Sequence, residues 1–176
     1  MEHSFSLKVP KDRIAIIIGK EGQTKKELEN DTKAKIHIDS KEGDVSIEGQ
    51  DAILSYALKE VIKAIALGFN PETARLLLKQ DHILEVISLN EYSRHKNHWL
   101  RLKGRVIGAK GKSRSIIEDL TDCYISVYGK HIALIGDAEH IDIAKRSVKM
   151  LLAGSNHSAV YKWLEKQRKM RGSVVF

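Results

Sequence analysis

The feature that most restricts this chain is a loop that occurs twice. Ile18-Gly19-Lys20-Glu21-Gly22 and Ile107-Gly108-Ala109-Lys110-Gly111 align at an offset of 89 residues. The same offset pairs Leu28 with Ile117, Glu29 with Glu118, Thr32 with Thr121, Ile36 with Ile125 and Ile38 with Val127. After a two-residue deletion the offset becomes 87. It then pairs Val45 with Ile132, Ile47 with Leu134, Gly49 with Gly136, Ala57 with Ala144 and Val61 with Val148. Chance can repeat one loop. A loop, two strand patterns and a long helix pattern in the same order mark a duplicated unit. In each copy two glycines, three apart, stand between helical apolar patterns and supply the backbone freedom of a tight turn. The helix that follows points its free N–H groups and positive dipole end at the loop, which suits a phosphate.

Apolar periodicity places the remaining elements. In the first copy it predicts a strand over 4–9, helices over 12–18 and 23–32, strands over 35–39 and 45–47, and a helix over 51–67. Phe69-Asn70-Pro71 interrupts, and a short helix follows over 72–78, with the proline suited to its start. The second copy predicts a strand over 83–89, a basic and partly helical stretch over 93–107, and a helix over 115–120. Strands over 124–128 and 132–135 and a helix over 138–153 complete it. A last amphipathic helix covers 156–171. The expected organisation is a first domain at 1–68, a connection at 69–81, a second domain at 82–154 and a basic C-terminal helix at 155–176. The fold class is α+β.

Charge separates the two copies. The formal net charge is +7 with a pI near 9.4, which favours an anionic partner. Residues 1–92 hold 13 basic and 16 acidic side chains, whereas 93–176 hold 17 and 7. The contrast is sharpest at the loops. Around the first, Lys20, Lys25 and Lys26 are offset by Glu21, Glu27 and Glu29, and Glu21 lies inside the loop itself. Around the second stand Arg101, Lys103, Arg105, Lys110, Lys112 and Arg114, with no acid between Arg101 and Ser115. The second loop is therefore the expected main polyanion site, since each phosphate neutralised adds affinity and salt dependence. Its candidate contacts are those six cations with Ile107, Gly108, Ala109 and Gly111. The weaker candidates are Gly19, Lys20, Glu21, Gly22 and Lys25.

Other chemistries find less support. The single cysteine, Cys123, permits no disulfide within the chain and points to a reducing, cytoplasmic setting. No Cys/His spacing resembles a zinc site, so no metal or cofactor is expected. Met1-Glu2-His3-Ser4 lacks the character of a signal peptide, and the longest apolar run, 14–18, is far too short to cross a bilayer. His95 and His98 offer an acid–base pair for RNA cleavage, but no carboxylate or metal cluster accompanies them. A solvated, phosphate-contacting face is the stronger reading, and no enzyme is expected. Tyr124 and Tyr128 are placed for cross-strand packing ahead of base stacking. Trp163 is expected to dock the last helix, and Cys123 to be a small buried residue.

Each copy reads strand, helix, Gly-x-x-Gly, helix, strand, strand, helix. With Ile-Gly-x-x-Gly followed by Ile-x-Ile or Ile-x-Val, it resembles a KH domain of the type I arrangement. That resemblance implies a three-stranded antiparallel sheet covered by three helices, and a loop that clamps about four nucleotides of single-stranded RNA. The adjoining apolar edge, with Ile18 and Ile107 as its candidates, would form the groove. Both copies depart from the family pattern in placing Lys25 and Arg114 where an aliphatic residue commonly stands. The second copy, from Arg101-Leu102-Lys103-Gly104-Arg105 through Ile125-Ser126-Val127-Tyr128-Gly129-Lys130, is more specific. It is similar to the archaeal pre-ribosomal two-KH proteins of the "partner of Nob one" (Pno/Dim) family. The resemblance implies a small-subunit assembly factor bound near the 3′ end of small-subunit ribosomal RNA. The endonuclease that matures that end and the alpha subunit of translation initiation factor two are its implied partners. A KH-type regulator of messenger RNA, or a protein scaffold docked through the acidic first domain, is the alternative.

Overall fold

The computed structural model describes residues 1–172; the last four residues of the predicted 155–176 helix segment lie outside the described residues. The chain forms two compact units, Met1–His82 and a second that begins at Ile83. The first contains β1 (His3–Lys8), α1 (Lys11–Ile18), α2 (Gln23–Thr32), β2 (Lys35–Asp39), β3 (Asp44–Gly49) and α3 (Ala52–Ala66). A short α4 (Pro71–Ala74) then runs into a 3₁₀ turn, Arg75–Leu78. In the sheet β3 lies centrally, antiparallel to β1 and β2, with Phe5 opposite Ile47 and Ile36 opposite Ile47.

The same order returns as β4 (His82–Ser88), α5 (Lys96–Ile107), α6 (Lys112–Thr121), β5 (Tyr124–Tyr128), β6 (His131–Asp137) and α7 (Ile141–Leu152). β6 lies between β4 and β5. Each unit is thus βααββα, the type I KH order, in an α+β fold. α8 (His157–Gly172) is added to the second unit.

The duplication reaches individual contacts. Thr32 Oγ1 donates to the Leu28 carbonyl at 2.7 Å, and Thr121 Oγ1 to the Ile117 carbonyl at 2.6 Å. The residues that follow, Lys33 and Asp122, both leave their helices with a left-handed φ of 55°. Glu29 accepts the Ile36 amide at 2.9 Å, and Glu118 the Ile125 amide at 3.4 Å. The glycines at or beside the ends of the central strands face small partners. A Cβ on Gly49 would lie 3.0 Å from the Ala34 Cβ, and one on Gly136 would lie 2.3 Å from the Cys123 sulfur. Cys123 is therefore a packing residue, and burial pushes its thiol up to about 11. Leu28, Ile47 and Leu58 in one core and Ile117, Leu134 and Val148 in the other are fully buried. Each side chain of this kind contributes about 1.5–3 kcal/mol through burial.

Side-chain caps explain where boundaries differ from the periodicity. Asp137 Oδ1 accepts the amides of Glu139 and His140, each at 3.0 Å, so 138–140 is a turn and the helix starts at Ile141. In the 72–78 stretch Asn70 caps the Thr73 amide at 2.8 Å, but the helix tightens to 3₁₀ after one turn. α6 starts three residues before the predicted 115, directly after left-handed Gly111.

Residues 69–81 fold within the first unit, where Arg75 bridges Glu27 and Asp31 of α2. α8 buries Val160 and Leu164 fully. Arg146 of α7 stacks over the Trp163 ring at 5.1 Å, so that ring docks the helix. Arg168 and Arg171 donate to the carbonyls of Asp119 and Leu120, which cover the last turn of α6.

Candidate nucleic-acid interface

The two loops share one backbone. The first glycine of each, Gly19 or Gly108, has φ 75°. A Cβ there would fall 2.2 Å from Thr24 Oγ1 in one loop and 2.7 Å from the Ser113 amide nitrogen in the other. These glycines let two helices meet. The second glycines, Gly22 (φ 73°) and Gly111 (φ 76°), face open space, so a ligand backbone can approach there. Between them Glu21 and Lys110 sit in the left-handed region at φ 54° and 53°. The same exposed slot thus carries opposite charges in the two units. Lys20, Ala109, Lys112 and Arg114 are also exposed beside the loops.

The helix before the second loop sorts its residues by face. Leu102 and Val106 enter the core. Lys103 and the half-buried Ile107, four apart, share a second face with the loop. This is the flank the apolar groove of a KH domain would occupy; Ile18 is likewise half-buried on its own loop. The cations that replace the aliphatic groove residue are paired in both units: Lys25 with Glu29 at 3.2 Å, and Arg114 with Glu118 at 2.7 Å. Burial raises the Glu29 carboxyl, but the Ile36 amide and Lys25 outweigh it and leave the group below its ordinary value.

Arg101, Gly104, Arg105 and Gly108 recur at helical spacing on a third face. Arg105 turns its guanidinium inward, onto the Leu151 carbonyl at 2.9 Å and the Ser155 carbonyl. It closes the end of α7, as Arg13 closes the end of α3 through the carbonyls of Ile65 and Phe69. The sequence reading, which counted Arg105 among the loop cations, did not foresee that contact.

On this third face lies a cleft of about 500 Å³. Arg101, Lys112 and Ser113 line it, together with His157 and Tyr161 from α8. Both α8 residues escaped the sequence reading, because they stand about fifty residues from the loop and only the packing of α8 brings them there. His157 donates from Nε2 to the Arg105 carbonyl at 2.8 Å, which fixes its ring. The first unit has a counterpart of about 490 Å³, lined by Lys20, Gln23, Glu27, Pro71, Glu72 and Arg75.

The remaining candidates lie elsewhere. His95 and His98 are exposed, their rings edge-on at 5.6 Å, and Ser93 Oγ meets His98 Nδ1 at 3.0 Å. Tyr124 is exposed and Tyr128 half-buried on β5. Among the described residues no cluster of His, Cys, Asp or Glu could hold a metal, and no helix is long and apolar enough to cross a membrane.

Comparison with known proteins agrees with this geometry. Residues 83–169 match the family described as eukaryotic type KH-domain (KH-domain type I), in the form of the second KH domain of PNO1, and residues 4–63 match the KH domain. The KH domain-containing protein MJ0443 of Methanocaldococcus jannaschii is 44% identical over 166 residues, which cover 92% of this chain and 73% of that protein. The chain belongs to the archaeal two-KH Pno/Dim family. Among solved structures of that family, aDim2p from Pyrococcus horikoshii, in a complex with a/eIF2alpha and rRNA, superposes with a TM-score of 0.90 at 42% identity. That match covers 96% of this chain and 95% of that one. The pre-rRNA-processing protein PNO1 of Eremothecium gossypii is 32% identical over 104 residues, which are 58% of this chain and 39% of that protein.

Proposed function

We propose that this protein is a non-catalytic RNA-binding factor of small-subunit ribosome assembly, and that its second Gly-x-x-Gly loop holds single-stranded RNA near the 3′ end of small-subunit ribosomal RNA. The coarse class, an RNA-binding factor of ribosome biogenesis, rests on the family. The choice of loop rests on one observation: at the identical left-handed slot the second loop carries Lys110 and the first carries Glu21. Lys103 and Lys112 extend the positive rim beside Arg114, whose charge is partly met by Glu118, while Arg105 acts from behind by bracing the helix. The first unit serves partner docking, its RNA contact being weakened by Glu21 and by the acids around Lys25. Exposed Ile53 and Tyr56 on α3 offer an apolar contact there. The alpha subunit of initiation factor two, present in the Pyrococcus complex, and the endonuclease of the rRNA 3′ end are the proposed partners, in the cytoplasm.

The test is Gly111→Asp, which adds a carboxylate in open space at the clamp and leaves the Gly108–Ser113 contact intact. Binding to a single-stranded RNA of the small-subunit 3′ end should fall by at least tenfold. Wild-type affinity in a folded variant would refute the second-loop assignment.

A further inference from the structure

The flank of the second loop away from Ile107 is not accounted for by the clamp. It is an open cleft, and His157 and Tyr161 of α8 line one side of it. Its volume of about 500 Å³ falls within the range of small-molecule sites, about 300–1,000 Å³. Its lining combines cations with rings. Arg101 and Lys112 are exposed cations, Tyr161 is half-buried, and no acid lines it. His157 stands beside Tyr161 with ring centroids 6.1 Å apart, and its bond to the Arg105 carbonyl holds it in place. Ser113 lies at the floor, 1% exposed, and its hydroxyl has no hydrogen-bond partner among the described residues.

The first unit supplies an internal control. At the offset of 89, Gln23 stands for Lys112 and Thr24 for Ser113. One side there comes from the Asn70–Arg75 stretch; the cleft is lined by Glu27 and Glu72 and has no aromatic ring. The same concavity is therefore built twice, but only the second pairs cations with rings. Aromatic faces beside cations are the means by which single-stranded nucleic acid is held without sequence readout.

We propose that the cleft between the second loop and α8 is a second nucleotide site, stacking a base of the bound strand on Tyr161 with an adjoining phosphate on Arg101 and Lys112. The strand would cross the loop from the Ile107 flank, so that α8 extends the clamp. This rests on the reading of the second loop as an RNA clamp.

The experiment compares two single-stranded RNAs of the small-subunit 3′ end on the full chain, by fluorescence anisotropy. One is a tetranucleotide, about the length a KH clamp holds. The other is about three times as long. Tyr161→Ala should weaken the long RNA on the order of tenfold and leave the short one unchanged. Tyr161→Phe, which keeps the ring, should restore wild-type binding. In the long RNA, 4-thiouridine beside the clamped stretch should crosslink to the peptide carrying Tyr161. Equal behaviour of both RNAs with Tyr161→Ala would overturn the proposal. So would crosslinks confined to the Ile107 flank, which would leave the cleft to an acidic protein segment. A wild-type chain that binds neither RNA would instead remove the clamp reading itself, so the two failures are distinct.

Discussion

The imidazole of His157 donates to the backbone carbonyl of Arg105 at 2.8 Å, while the guanidinium of that same arginine reaches back to the carbonyls of Leu151 and Ser155. One residue thus ties together the end of α5, the end of α7 and the start of α8. The Arg105 and Leu151 carbonyls lie in the last turns of their helices, and the Ser155 carbonyl in the link between α7 and α8.

Removing that tie should cost stability. Arg105→Ala is expected to destabilise the protein by about 2 kcal/mol, since charge-assisted hydrogen bonds to two carbonyls are lost. Arg105→Lys should recover part of this, because one ammonium does not reproduce the planar fork. Chemical denaturation gives the energies. Faster hydrogen exchange at the start of α8 would place the effect, and unchanged exchange there would refute the brace.

The two glycines of the second loop should respond differently to alanine. Gly108→Ala forces a Cβ to 2.7 Å from the Ser113 backbone at a positive φ, so a loss of about 3 kcal/mol or more is expected. Gly111→Ala meets no atom and should cost only the left-handed conformation, about 1 kcal/mol. Equal destabilisation would contradict the close-approach role of Gly108.

Glu29 predicts a pH dependence with a definite sign. The Ile36 amide and Lys25 hold its carboxyl below the ordinary glutamate value in the folded state, so its contribution is present above the unfolded pKa and is lost as pH falls through the folded one. Glu29→Gln should therefore destabilise most near neutrality, and the gap from wild type should close as pH falls below the ordinary glutamate range. Urea midpoints of both proteins across that range provide the comparison.

RNA binding should depend on salt through identifiable side chains. Lys110→Gln and Lys112→Gln should each reduce the slope of log K against log salt by about 0.7, the value for one phosphate contact on a single strand. Lys20→Gln, next to Glu21, should leave it almost unchanged.

Cys123 should resist thiol reagents at pH 8 in the native protein and react on unfolding, because burial shields its thiol and pushes it up to about 11. Cys123→Ala should fold, since Ala34 holds the same place in the first unit; Cys123→Leu would drive extra atoms into Gly136 and should not.

The repeat made the fold readable. Apolar pairs such as Leu28 with Ile117 and Ile47 with Leu134 report two equal cores, and the strand and helix periods follow from them. Contacts between distant, dissimilar residues were not readable. Arg105 looks like another surface cation in sequence, and only the fold brings its side chain to carbonyls 46 and 50 residues away. His157 and Tyr161 carry no local signal because their partner is a loop about fifty residues earlier. The apolar pattern predicts a helix from Ala138, yet the Asp137 side chain holds 138–140 as a turn and delays α7 to Ile141.

The left-handed slot between the paired glycines has one more implication. Glu21 and Lys110 occupy it with nearly the same φ, so the backbone is indifferent to which of them it carries. Glutamate and lysine codons differ by a single nucleotide. After a duplication, one base change at that codon is enough to reverse the charge in the slot while leaving its backbone conformation as it is. Opposite charge at the two loops is therefore a single mutational step apart.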